Sequence, residues 1–282
     1  MFIGSEAIAS GQLTGYELRR WYQPIYRDVY VHRSIDPSLG DRTWGAWLWS
    51  KRRAVIAGLA AAALHGSRWV DVHEPIELIA RSARSHEGLI VRNQTLAGDE
   101  ITKVGGLPVT TPVRTAFDLG RHLDTDTAIV RLDALKWATF FSVDDVMQLA
   151  QRYPGARGLR QLKSVLPLVD GGAASPKETW LRMLLIDAGF PPPTTQIPVT
   201  DGWRILAVLD MGWDDVKIAV EYDGDHHRTI RAQYVKDRKR IRRLEQLGWI
   251  VIQVIAEDRP EDIVQRVQDA IQRRASPRST VA

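Results

Sequence analysis

The chain of 282 residues contains no cysteine. That absence excludes a disulfide framework and every thiolate metal site, so any metal chemistry must rest on oxygen and imidazole donors. Long apolar runs are missing as well: the longest, Ala54 to Leu64, falls short of the roughly 20 residues that span a bilayer and reads as a buried helix. The opening residues, Met1-Phe2-Ile3-Gly4-Ser5-Glu6, have neither the basic region nor the apolar core of a secretory signal, and the expected location is cytoplasmic. A disorder signature is lacking except at the two tips. Hydrophobic residues at 44% and charged residues at 26% give the balance of a globular protein, and the length suggests two domains.

The net charge of +4 is small, but its distribution is uneven. From Arg228 to Arg243 eight Lys or Arg stand against one acid, a local net of +7 that leaves the remaining chain at −3. A polyanion is the natural partner of such a strip, and DNA is the expected one.

One stretch combines groups that loops rarely need together. In Ile218-Ala219-Val220-Glu221-Tyr222-Asp223-Gly224-Asp225-His226-His227, an apolar run delivers two carboxylates at alternate positions, then a glycine, an acid and two imidazoles. Upstream, Trp203 to Asp210 reads as another strand, with Trp213-Asp214-Asp215 in the turn between them. A turn centred between Asp215 and Val216 sets Asp210 directly opposite Glu221, where cross-strand Cβ atoms lie roughly 4.5–5.5 Å apart. Two carboxylates that close repel unless a cation joins them or one is protonated. Mg²⁺, a hard ion that prefers oxygen, is the expected cofactor, with Mn²⁺ as its substitute. Asp223 shares the side-chain parity of Glu221 and adds a third ligand or a proton acceptor. Gly224 lets the chain turn so that His226 and His227 swing back toward the acids.

The next helix is expected over 230–247, with Ile230, Tyr234, Ile241 and Leu244 on one stripe. Asp237 falls within that stripe, and an acid on an apolar face is paired or functional, here with an imidazole or an arginine beside the carboxylates. Lys236, Arg238, Lys239, Arg240, Arg242 and Arg243 radiate from the same helix. Together with Arg228 and Arg231 they form either a solvated face or contacts to DNA phosphates, and their density favours phosphates. An earlier helix opens with Ser175-Pro176-Lys177-Glu178, a capping-box spacing, so Glu178 serves that cap, the metal site, or both. Gln196 to Val199 adds a strand, Trp249 to Ile255 is the most strand-like run, and Pro260 to Arg274 forms a last helix. Helix, three strands, helix, strand, helix gives a mixed sheet flanked by helices, an α/β architecture.

The N-terminal region is expected to be α+β. Thr14 to Arg20 is helical in pattern and Ile25 to Val31 strand-like, which suits a reduced winged-helix module over 1–45 or else a small packing subdomain. His65, near the cap residue Gly66, reads as a hydrogen-bonded or dipole-facing histidine. Strands are expected at Ile76 to Ala80 and Gly88 to Arg92, and Thr111 with Pro112 marks a helix start. Arg114 and Asp118, one turn apart in that helix, read as a surface ion pair. Small flexible residues at Asp170 to Ser175 mark a boundary, giving regions 1–45, 46–168 and 172–276.

Thr110-Thr111-Pro112-Val113-Arg114-Thr115-Ala116-Phe117-Asp118-Leu119 resembles a segment of abortive-infection antitoxins of the AbiEi type. That resemblance spans roughly residues 1 to 165 and implies a DNA-binding regulator with an N-terminal winged helix, shortened here. The combination Ser175-x-x-Glu178, Asp210, Glu221-x-Asp223-Gly224-x-x-His227, Asp237 and Leu247-Gly248-Trp249 resembles the DUF559 family, similar to very-short-patch-repair endonucleases of the PD-(D/E)XK superfamily. It covers about residues 172 to 272 and implies a restriction-endonuclease-like core in which Asp210 and Glu221 bind the metal. The superfamily's third element is a lysine two residues after the glutamate, where this chain has Asp223. His226, His227, Lys236 or Arg240 replaces that cation, or the domain is catalytically dead.

The expected activity is hydrolysis of DNA phosphodiesters. Mg²⁺ on Asp210 and Glu221 activates a water, and His227, or His226 in its place, carries the proton. A nuclease that cuts both strands often needs two active sites, which raises a homodimer. Two alternatives stand beside it: a DNA-binding regulator with a degenerate nuclease domain, and a metalloprotein that uses Zn²⁺ or Mn²⁺ for another hydrolysis.

Overall fold

In a computed structural model the described residues are 1–81, 86–224 and 231–275, with the side chains of 231–235 left aside. His226, His227, Arg228, Ile230 and the side chains of Arg231 and Tyr234 therefore lie outside the described residues. Two units divide the chain, Met1–Gly171 and Gly172–Ala282. Each is a mixed α/β body whose mixed sheet is flanked by helices.

The first unit begins with β1 (Phe2–Ile3), α1 (Gly4–Ala9), α2 (Gly15–Trp21), β2 (Tyr22–Tyr26) and β3 (Val29–His32). Thr14 and Glu17 start α2 by a reciprocal cap: Glu17 donates its N–H to Thr14 Oγ1 at 3.2 Å, and Glu17 Oε2 accepts the Thr14 N–H at 2.8 Å. The three strands form a small sheet in the order β1-β3-β2.

Then come α3 (Leu39–Trp49), β4 (Val55–Ala57), α4 (Gly58–Leu64), β5 (Ile76–Ile79), β6 (Leu89–Arg92), β7 (Ile101–Val104) and β8 (Leu107–Thr110). The run Ala54 to Leu64 is thus not one helix. Its first part is a strand paired with β5 and β8, and Gly58, at φ +57°, turns the chain into the helix proper. His65 bonds through Nε2 to Thr110 O at 2.7 Å, as a hydrogen-bonded histidine.

Helices α5 (Pro112–His122), α6 (Thr125–Thr139), α7 (Val143–Gln151) and α8 (Leu159–Val165) complete the unit, with Thr111 capping α5. The expected surface pair in α5 is instead a buried network, because Arg114 and Asp118 are each only 1% exposed. Arg114 Nε donates to Asp118 Oδ2 at 2.8 Å, Arg114 also donates to Glu100, and Arg121 donates to Asp118 Oδ1 at 2.7 Å. Tyr153 donates its hydroxyl to Glu100 at 2.5 Å. Beside this network His122 is pushed down to about 4, mainly by burial and then by the positive fields of Arg92 and Arg121, so it sits there as neutral imidazole.

The second unit contains α9 (Pro176–Asp187), β9 (Thr194–Asp201), β10 (Arg204–Trp213), β11 (Ile218–Tyr222), α10 (Arg231–Gln246), β12 (Ile250–Val254) and α11 (Pro260–Ala275). Its sheet runs β12-β11-β10-β9, with β11 and β12 parallel and the other pairs antiparallel. Leu181 and Leu185 of α9 and Ile263, Val267 and Ala270 of α11 pack with Met211, Val220, Ile252 and Val254. Leu244 of α10 packs with Ile197, Val199, Leu209, Ala219 and Trp249. The parallel β11 and β12 are fully apolar at Ile218, Val220 and Val254, as strands covered on both sides must be. Gly248, at φ +90°, closes α10 where the sequence places its end.

Candidate active site

β10 runs on to Trp213, leaving 214–217 as the connection, with Lys217 in the left-handed region at φ +50°. The observed pairs are Met211↔Val220, Gly212↔Ala219 and Trp213↔Ile218. One further step of this register sets Asp210 against Glu221. Gly212 permits the close crossing, since a Cβ there would stand 2.2 Å from the Ile218 carbonyl oxygen. Asp210 Oδ2 accepts the Tyr222 N–H at 2.9 Å, which fixes the carboxylate over the neighbouring strand.

Glu178 enters from the first turn of α9. Its cap departs from the simple reciprocal box: Glu178 donates its N–H to Ser175 Oγ at 3.2 Å, while its carboxylate takes the Ser175 hydroxyl at 3.0 Å and the Ala174 N–H at 2.9 Å. The held carboxylate faces Asp210 electrostatically. Burial first, then the charges of Glu178 and Glu221, push Asp210 up to about 7, against the pull of the Tyr222 N–H and Arg240.

Glu221 is only 6% exposed, and Arg240 of α10 neutralises it with two parallel bonds, Nη1 to Oε1 at 2.7 Å and Nη2 to Oε2 at 2.9 Å. Arg240 is raised above its ordinary value by those bonds and by the fields of Asp237 and Asp210. Of the described candidates for the place of the missing lysine, Arg240 reaches Glu221 and Lys236 is exposed, while His226 and His227 lie outside the described residues. Asp237, half-buried one turn before Arg240, acts on that guanidinium. Asp223 follows the end of β11 and donates its N–H to Val254 O at 2.7 Å.

Arg243, expected on phosphate, is committed to the protein: Nε donates to Asp201 Oδ2 at 2.8 Å and Nη1 to Gln246. Lys236, Arg238, Lys239 and Arg242 are exposed. Trp203, read as the start of a strand, instead sits in the turn between β9 and β10; the turn signal was the preceding Asp201-Gly202. Among the described residues no three acids or histidines are assembled as a ready metal cage, and both Glu221 oxygens are held by Arg240.

Two curated relatives from Mycobacterium tuberculosis are each 27% identical over 246 residues, covering 86% of this chain and 86% of the relative: uncharacterized protein MT2308 of strain CDC 1551 and uncharacterized protein Rv2248 of strain H37Rv. A match of that length exceeds either unit alone, so the similarity extends over both. No family profile matches the chain, and no solved structure matches it.

Proposed function

We propose that the second unit is a metal-dependent DNA endonuclease domain that hydrolyses phosphodiester bonds, with Glu178, Asp210, Glu221 and Arg240 as its centre. One observation carries this reading: Asp210 of β10 is buried where the charges of Glu178 from α9 and Glu221 from β11 both bear on it, while the Arg240 guanidinium is bound to Glu221. A stable fold has no need of such repulsion, and catalytic sites are where it is tolerated. The likeness of these positions to DUF559 and PD-(D/E)XK nucleases supports the same reading.

The acids fit a hard divalent cation in donor type and in charge. Asp210 and Glu221 would hold Mg²⁺ or Mn²⁺, with Glu178 behind them and Asp223 next along the chain, once Arg240 releases one Glu221 oxygen. Bound there, the ion would lower the pKa of a water and offset charge on the phosphoryl group. The protein's own part is to position and to move protons. Without an ion Asp210 sits near 7, so taking up the ion at neutral pH would release its proton. Arg240 orients the Glu221 carboxylate through its two parallel bonds and offers a guanidinium to a phosphate oxygen. His226 and His227 are assigned to proton transfer by their place after Gly224, and Lys236, Arg238, Lys239 and Arg242 to the DNA backbone. Incubating supercoiled plasmid and single-stranded DNA with the protein in Mg²⁺, Mn²⁺ or chelator tests the reading; cutting that persists in chelator contradicts it.

A second reading has its own observation. α1, α2 and the β2–β3 hairpin follow one another in the order that a helix-turn-helix with a wing uses, and α2 exposes Tyr16 and Trp21 with Arg20 stacked at 4.9 Å from the Trp21 ring centroid. This supports a DNA-binding regulator of antitoxin type, in which the second unit docks without cutting. Tight, salt-sensitive DNA binding with no cleavage in any metal favours that reading.

A further inference from the structure

The β9–β10 ribbon ends in a tip that the fold does not use. Gly202, at φ +64°, makes the turn, and Trp203 beyond it is 91% exposed. Outward from the tip follow Ile205 at 66% and Val208 at 46%, opposite exposed Thr200 and Pro198, while Ala207, Leu209, Ile197 and Val199 pack inward. An isolated exposed aliphatic is ordinary, but a bare indole heading an apolar strip marks a binding surface.

The charges around the tip select the partner. Arg204 lies 5.9 Å from the Trp203 ring centroid, and Asp201, the acid of the turn, is neutralised by Arg243. That same arginine ties the tip to α10, whose Lys239 and Arg242 are exposed. The apolar strip lies on the ribbon face away from α10, so what the tip offers beside α10 is the bare indole with Arg204 next to it, a pair that suits a base with its flanking phosphate. The tip is also in reach of the acid centre. Seven residues at ~3.3 Å each, shortened by the irregularity between Ile205 and Ala207, set Trp203 within about 20 Å of Asp210. On DNA with ~3.4 Å per step that is about six nucleotides.

The geometry points to Trp203 as a base-stacking wedge: its indole packs on an unstacked nucleobase of the DNA strand held along α10, within about six nucleotides of the bond at Asp210. This inference rests on the nuclease reading for the place of the scissile bond, and on the tip's own chemistry for the stacking.

The test uses the full chain in chelator with short single- and double-stranded oligonucleotides carrying 2-aminopurine, and in Mg²⁺ for cutting. Wild type is expected to change the 2-aminopurine emission. Trp203→Phe keeps most of that change, and Trp203→Ala loses it and binds roughly five- to a hundredfold more weakly, as the loss of one base stack requires. The thermal midpoint of both variants stays at the wild-type value because the side chain touches little. Unchanged affinity and emission in Trp203→Ala overturn the wedge while leaving a cutting enzyme intact. Trp203-dependent stacking in a protein that never cuts sinks the nuclease reading and keeps the wedge. If wild type binds no DNA, both fail. If Trp203→Ala turns a dimer into a monomer in sedimentation without altering DNA affinity per chain, the strip joins two copies and the wedge is wrong.

Discussion

Asp210 holds its proton to about 7 because it is buried beside Glu178 and Glu221, and an unfolded aspartate loses it near 3.9. Between those values the folded chain binds a proton that the unfolded chain has released, so this group's contribution to stability is full below about pH 4 and falls as pH rises toward 7. Asp210→Asn is therefore expected to stabilise the protein by about 1–3 kcal/mol at pH 8 and by nothing at pH 4. Urea midpoints at the two pH values check this; equal gains at both contradict the raised pKa. Arg114 is the cation that joins the two buried acids of the first unit. Arg114→Met leaves Asp118 with Arg121 and Glu100 with Arg152 but removes the shared guanidinium from the buried network, and should cost about 3–5 kcal/mol by urea midpoint. Lys51→Met, at an exposed pair with Asp28, should cost under about 1 kcal/mol in the same titration.

At the scale of elements, the β10–β11 hairpin positions the acids, and Gly212 is its tightest point. Gly212→Ala would drive a methyl into the Ile218 carbonyl, and separation of the strands should cost about 1–3 kcal/mol in a denaturant midpoint while weakening the Asp210 to Tyr222 bond. A midpoint equal to that of wild type would contradict the close approach. This hairpin was legible in the sequence because pairing has a period of two: a symmetric turn fixes every partner, and the observed pairs keep the register that opposes Asp210 and Glu221. The run from Ala54 to Leu64 was not legible, since short apolar segments look alike as strand or buried helix and only the φ of Gly58 separates them. Burial of Arg114 was hidden for a similar reason. An i,i+4 pair looks the same on a surface and in a core, and its decisive partner Glu100 is distant in the chain. The choice of Arg240 from six neighbouring bases likewise follows from the rotation of α10 against β11, which composition does not carry.

For the whole molecule, the proposed reading has DNA held by the exposed bases of α10 and cut at the acids beside Arg240. Affinity should fall steeply with salt, and each of Lys236→Ala, Lys239→Ala and Arg242→Ala should lower the slope of log affinity against log salt by about one without altering sequence preference. A slope unchanged in all three would separate the strip from DNA binding. The similarity shared with the two mycobacterial relatives extends over both units, so the two-unit organisation is not peculiar to one chain. If Asp210 and Glu221 form a phosphodiester-hydrolysing centre, single-turnover cleavage of DNA in Mg²⁺ should be seen with wild type and fall on the order of a thousandfold or more in Asp210→Ala and in Glu221→Ala, with DNA binding retained; cutting at the wild-type rate in both variants would rule that centre out.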